Sequence, residues 1–154
     1  MALTAGDKAP AFAGPTDGGG KVSSKDFKGR KFVLYFYPKD DTPGCTTEAQ
    51  AFRDALPDFE KLGVDIVGVS KDSVKRHENF KAKYDLPFPL VSDADGSICE
   101  DFGVWQMKKN YGREYMGIVR STFLIDEKGK IAAVWEKVRV KGHVDAVLDA
   151  ARAL

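Results

Sequence analysis

Cysteine is scarce in this sequence: Cys45 and Cys99 are the two in a chain of 154 residues. Two distant cysteines make no disulfide framework, so the fold must rest on an ordinary core and each cysteine is read as a thiol. Histidine is equally sparse. His77 and His143 fall on separate predicted helices, neither with metal-ligand spacing to another ligand, and no metal is expected. Long apolar runs are missing too, since the longest, Phe32–Tyr37, holds six residues, far below the ~20 needed to span a bilayer. No charge sign dominates. Twenty-four basic residues against 23 acidic ones leave a formal +1, which gives no electrostatic reason to expect nucleic acid or an anionic membrane as partner. The opening MALTAGDKAP lacks a basic stretch followed by an apolar one, and no Asn-x-Ser/Thr acceptor occurs, so a cytoplasmic protein is expected.

Several site motifs are also absent. There is no G-x-G-x-x-G and no G-x-S-x-G, and Glu48 stands where a Cys-x-x-Cys pair would need its second cysteine. The glycine-rich GPTDGGGKVSS has Pro15 and Val22 where a phosphate loop needs Gly and Ser/Thr, so it reads as a surface loop or hairpin. The Asp93-Ala94-Asp95-Gly96 turn places its glycine too early for a calcium loop and lacks the bidentate Glu, so it reads as a capped turn.

What is present is one domain's worth of alternating elements, 43% apolar, covering residues 1–154. Lys31–Tyr37 reads as a strand covered on both faces. Ala49, Phe52, Leu56, Phe59 and Leu62 line one face of a helix, with a kink or restart expected at Pro57. Val64–Ser70 is the next strand, and Ser73–Tyr84 a helix capped by Asp72 or Ser73. His77 shares a stripe with Val74, Phe80 and Tyr84 and is expected to be a partly buried packing residue. Phe88–Val91 is a short strand and Ser97–Phe102 a short helix. Arg120–Asp126 and Ile131–Val138 form a hairpin, and Gly142–Leu154 a terminal amphipathic helix. This order predicts an α/β layered fold with a mixed sheet flanked by helices.

The chemistry concentrates in Pro38-Lys39-Asp40-Asp41-Thr42-Pro43-Gly44-Cys45, between the central strand and the following helix. A thiol there lies at the C-terminal edge of the sheet, where ligands favour α/β folds. Unpaired N–H groups at a helix N-terminus stabilise an anion, and the thiolate is the nucleophilic form of cysteine. Thr42 can donate a hydroxyl hydrogen bond to that thiolate or to a bound oxygen. A cysteine in such a loop can also be a small buried hydrophobe.

Pro38-x-x-x-Thr42-x-x-Cys45 matches the peroxiredoxin signature, and the string FYPKDDTPGCTTEA resembles the bacterioferritin comigratory protein (peroxiredoxin Q) subfamily. The resemblance extends through GDKAPAF, VSDADGSICEDFGVW and RSTFLID in the same order. It implies a thioredoxin-like fold and a thiol-dependent peroxidase that needs no cofactor and acts on hydrogen peroxide and small organic hydroperoxides. Cys45 would be the peroxidatic cysteine, passing through a sulfenic acid. Thr42 would hydrogen-bond thiolate and peroxide, the Gly44 and Cys45 N–H groups would hold the peroxide oxygens, Arg120 would stabilise developing charge, Pro38 would shield the thiolate and Glu48 would orient Arg120. Thioredoxin, glutaredoxin or a low-molecular-weight thiol would be the reductant, and a monomer or weak homodimer the state. The chain departs from many members by having Gln50 at one usual resolving-cysteine position and no cysteine around Lys81 at the other. Cys99 is expected to pack beside Ile98 and Phe102 rather than to resolve, which leaves a one-cysteine cycle. A thioredoxin-fold binding or chaperone module that turns over no peroxide is the competing reading.

Overall fold

The computed structural model describes residues 3–154. The glycine-rich segment closes as a small antiparallel hairpin, β1 (Ala13–Pro15) with β2 (Lys21–Ser23). The apolar run then forms β3 (Lys31–Phe36), followed by α1 (Pro43–Lys61), β4 (Val64–Ser70), α2 (Val74–Tyr84), β5 (Leu90–Ser92) and the short α3 (Ser97–Asp101). A second hairpin, β6 (Trp105–Asn110) with β7 (Arg113–Ile118), precedes β8 (Ser121–Ile125), β9 (Ile131–Trp135) and α4 (His143–Arg152).

Five strands make the central sheet in the order β5-β4-β3-β8-β9. The β3–β4 and β4–β5 pairs are parallel, whereas β8 runs antiparallel to both β3 and β9. Alternation along β3 divides the core. Val33 and Tyr35, with Tyr37 beyond the strand, join Phe52, Phe80 and Val147 under α1, α2 and α4. Phe32, Leu34 and Phe36 join Phe12, Ile98, Cys99 and Phe102 on the other face. Successive strand side chains point to opposite faces, so the two cysteines, Cys45 in the first cluster and Cys99 in the second, are separated by the sheet.

Three expectations need correction. α1 is one continuous helix through Pro57, so the restart, one of the two outcomes expected there, does not occur. That proline sits on the exposed side, so its missing N–H leaves the Arg53 carbonyl without its helical donor while Phe52 and Phe59 keep the helix seated. The β6–β7 hairpin was not expected at all. Its strands are largely exposed and mix Lys108, Lys109, Arg113 and Glu114 with apolar residues, so apolar alternation is confined to Trp105 with Met107 and Met116 with Ile118, too short a run to mark a strand. The one local signal is Tyr111-Gly112, both left-handed at φ 52° and 76°, as a tight type I′ hairpin turn requires. Third, His77 is not a packing residue in an apolar stripe. It is fully buried with both ring nitrogens in polar contacts, Nδ1 at 2.6 Å from Asp40 Oδ2 and Nε2 at 3.0 Å from the Val91 carbonyl.

Candidate active site around Cys45

Sheet register brings the site together. Phe36 at the end of β3 pairs with Ser121 at the start of β8. Residues just beyond that pair, Tyr37 with its loop and Arg120, therefore meet at one mouth of the sheet. The loop runs from half-buried Pro38 to Thr42, the N-cap of α1, with Pro43 in the first helical position, where its missing N–H costs nothing. The first helical N–H with a carbonyl partner is that of Thr46, which donates to Thr42 O at 2.8 Å. The Gly44 and Cys45 N–H groups have no acceptor among the described residues, so two donors stand open beside the sulfur.

Cys45 is 1% exposed. Arg120 reaches it from the strand side, Nη2 donating to Sγ at 3.3 Å while Nη1 donates to Glu48 Oε1 at 2.7 Å. Gly44 permits this approach, because a Cβ there would come within 3.2 Å of Arg120 Nη2. Burial works against the Arg120 charge, but Glu48 and Cys45 outweigh it and hold the guanidinium above its ordinary value. Glu48 is fully buried, and its Oε2 has no partner among the described residues. Burial raises its carboxyl to about 7 despite the opposing Arg120.

The sign of that shift sets a pH test. An unfolded Glu48 ionises near 4.5 and the folded one near 7. Unfolding therefore becomes progressively easier, on account of this group, as pH rises through that window, and the effect is flat above it. Glu48→Gln removes the titration. Its unfolding free energy relative to the parent should rise between those limits by on the order of 3 kcal/mol, read by denaturant melts across the pH series. A constant difference would refute the buried-carboxyl account.

Thr42 does not take the expected partner. Its hydroxyl donates to the Lys39 carbonyl at 2.8 Å rather than to Cys45. One hydroxyl has one proton, and here it closes the loop, leaving the oxygen as an acceptor. Cys99 lies outside the site. It is buried in the opposite cluster, and the Asp93 carboxylate that accepts from the Ile98 and Cys99 N–H groups caps its helix. Burial first, then Asp93, push the Cys99 thiol well above the ordinary range.

Two neighbours escaped the sequence reading. Lys108, on the unexpected hairpin, donates to the Ile118 carbonyl at 3.0 Å. Burial and then Arg120 lower its ammonium while Cys45 raises it, so its charge reaches the site. Asp40, five residues before Cys45 in the loop, is buried and bonded to Tyr37 and His77. With Asp72, Asp40 and His77 bring ligand atoms within 4.8 Å of one another. Hydrogen bonds already occupy those atoms: Tyr37 and His77 on Asp40, and Ser70, the Asp40 N–H and Arg76 on Asp72. The cluster is a network of donors and acceptors, not an open ligand set.

The AhpC/TSA family matches residues 5–134. A Coxiella burnetii protein described as putative peroxiredoxin Bcp is 56% identical over 148 residues, covering 96% of this chain and 98% of that one. The structure of Xanthomonas campestris peroxiredoxin Q superposes with a TM-score of 0.91 at 47% identity and covers 97% of both chains. A bacterioferritin comigratory protein of the same organism, studied for alkyl peroxide reduction, superposes equally well, with a TM-score of 0.91 at 46% identity over 97% of this chain and 98% of that one.

Proposed function

The chain belongs to the AhpC/TSA family and within it to the peroxiredoxin Q group, and from that premise we propose that Cys45 carries its peroxidase reaction in a one-cysteine cycle. It is a thiol-dependent peroxidase with a thioredoxin-like fold, drawing on a thiol or redoxin as reductant. The observation that carries the proposal is the Arg120–Cys45 contact at 3.3 Å, made at a helix N-terminus with two unbonded N–H groups beside it.

The Cys45 thiolate attacks the nearer peroxide oxygen. An S–O bond forms as the O–O bond breaks, sulfur gives up two electrons, and the departing oxygen leaves as water or alcohol after taking a proton. Arg120 and the Gly44 and Cys45 N–H groups offset the negative charge that passes from sulfur to the departing oxygen. Pro38 limits water at the thiolate, and Glu48 fixes the guanidinium. An external thiol then attacks the sulfenic sulfur and releases water. A second thiol frees Cys45 from the mixed disulfide. Hydrogen peroxide and small organic hydroperoxides are the substrates, and a monomer or weak homodimer in the cytoplasm is the working state.

Cys99 takes no part in this cycle. A disulfide needs Cα atoms within about 7 Å, and the central sheet stands between the two thiols. Cys99→Ser should therefore keep most of the turnover with a dithiol reductant. Peroxide-treated protein should appear by mass as an oxygen adduct, or as a mixed disulfide when a thiol is present. A Cys45–Cys99 link in peptide maps would overturn the one-cysteine cycle. Peroxide consumption by the fully reduced protein with a dithiol tests the whole reading, and no consumption would favour the binding-module alternative.

A further inference from the structure

The loop that delivers Cys45 is tied to helix α2 by a buried clamp. Asp40 Oδ1 accepts from the Tyr37 hydroxyl at 2.5 Å and Oδ2 faces His77 Nδ1 at 2.6 Å. His77 Nε2 faces the Val91 carbonyl at 3.0 Å. Both ring nitrogens meet acceptors, so the pair holds one proton between Nδ1 and Oδ2 and a second on Nε2. The Asp40 N–H donates to Asp72 Oδ2 at 2.8 Å, adding a backbone tie. Asp40 is 2% exposed and His77 0%. The loop's other link to α2, from Asp41 to Lys83 and Tyr84, is exposed, and such contacts hold little.

Reductant access gives the clamp a consequence. Cys45 is almost fully covered, and a redoxin thiol must bring its own Cα within about 7 Å to form the mixed disulfide. A small peroxide meets no such demand, but it needs the loop and the first turn of α1 in place. The two half-reactions therefore want opposite states of the same segment. We propose that the Asp40–His77 clamp is a positioning device that sets this balance, holding the loop closed for peroxide attack and limiting its opening for the reducing protein. This rests on the one-cysteine peroxidase reading above.

The two half-reactions are measured separately, with a thioredoxin as the reducing protein, in wild type, Asp40→Ala, His77→Gln and Asp40→Asn. Oxidation of Cys45 is followed by quenched-flow mass spectrometry, and its re-reduction from the preformed sulfenic acid by the same method. Hydrogen exchange of residues 38–46 and of β3 and β4 is read alongside. In the first two variants the loop amides should exchange at least about tenfold faster, corrected for intrinsic rates, with the core strands unchanged. Oxidation should slow and reduction should quicken, each by threefold or more. Asp40→Asn, whose amide can donate to Nδ1 and accept from Tyr37, should restore both toward wild type. Both half-reactions slowing together, or loop exchange unchanged, would overturn the clamp. Two broken-clamp variants guard against one failing to fold. Failure of wild-type Cys45 to take up oxygen would instead sink the peroxidase reading, with the exchange measurements still deciding the clamp.

Discussion

Replacing Cys45 by serine is expected to abolish peroxide reduction while leaving the fold intact. Serine is nearly isosteric, and the site is 1% exposed, so the backbone has no reason to move. Its Oγ can still accept from Arg120, which keeps the guanidinium paired on both sides. What is lost is chemical. A hydroxyl near neutral pH is neither ionised nor comparably nucleophilic, and no general base replaces the missing anion. The Glu48 carboxyl is bonded to Arg120 rather than to the sulfur. Loss of a nucleophile typically costs on the order of 10⁴-fold or more. Peroxide consumption should fall to background, no oxygen adduct should appear by mass, and the thermal midpoint should stay close to that of the parent. Residual turnover within a hundredfold of the parent would mean that another group carries the reaction.

The parts of this site legible in the sequence are those fixed by local chain direction. Lys31–Tyr37 announces a doubly covered strand, observed as Lys31–Phe36, and Thr42-Pro43-Gly44-Cys45 announces a capped helix start, so the position of Cys45 follows from neighbours in sequence. Arg120 is different in kind. Nothing local distinguishes it from a solvated arginine at a strand start, and only the RSTFLID block of the resemblance brings it forward. The structure supplies the reason, since the Phe36–Ser121 register is a long-range pairing. Asp40 and His77 were illegible for the same reason, because a helical stripe shows which face is buried and not that the face meets a carboxylate from another loop. The β6–β7 strands escaped because burial produces the alternation that betrays a strand, and these residues are mostly exposed. Thr42 shows a finer limit. Its position was foreseeable, but the choice between Lys39 O and Cys45 Sγ as acceptor depends on a loop conformation that no spacing encodes.

Arg120→Ala should produce the second largest loss, about 10²–10³-fold in kcat/KM for peroxide, the usual effect of removing one oxyanion-stabilising donor. Two consequences combine. The only side-chain donor to Cys45 Sγ among the described residues disappears. Glu48, fully buried and already raised to about 7 by burial, also loses the cation that favours its ionised form. The orphaned carboxyl should then take a proton rather than remain an unpaired buried charge, so the fold survives with a modest loss of stability. Arg120→Lys separates charge from geometry. An ammonium restores a positive charge but cannot present two parallel N–H groups to Glu48 and Cys45 together. It should recover part of the rate, falling between alanine and arginine. The double variant Arg120→Ala with Glu48→Gln should react no more slowly than Arg120→Ala alone, because Glu48 acts on the reaction through the guanidinium. Stopped-flow oxidation of Cys45 in the parent, Arg120→Ala, Glu48→Gln and the double variant would show it. Full additivity of the two losses would mean that Glu48 touches the reacting atoms directly, and an unchanged rate in Arg120→Ala would assign the charge stabilisation to the Gly44 and Cys45 N–H groups alone.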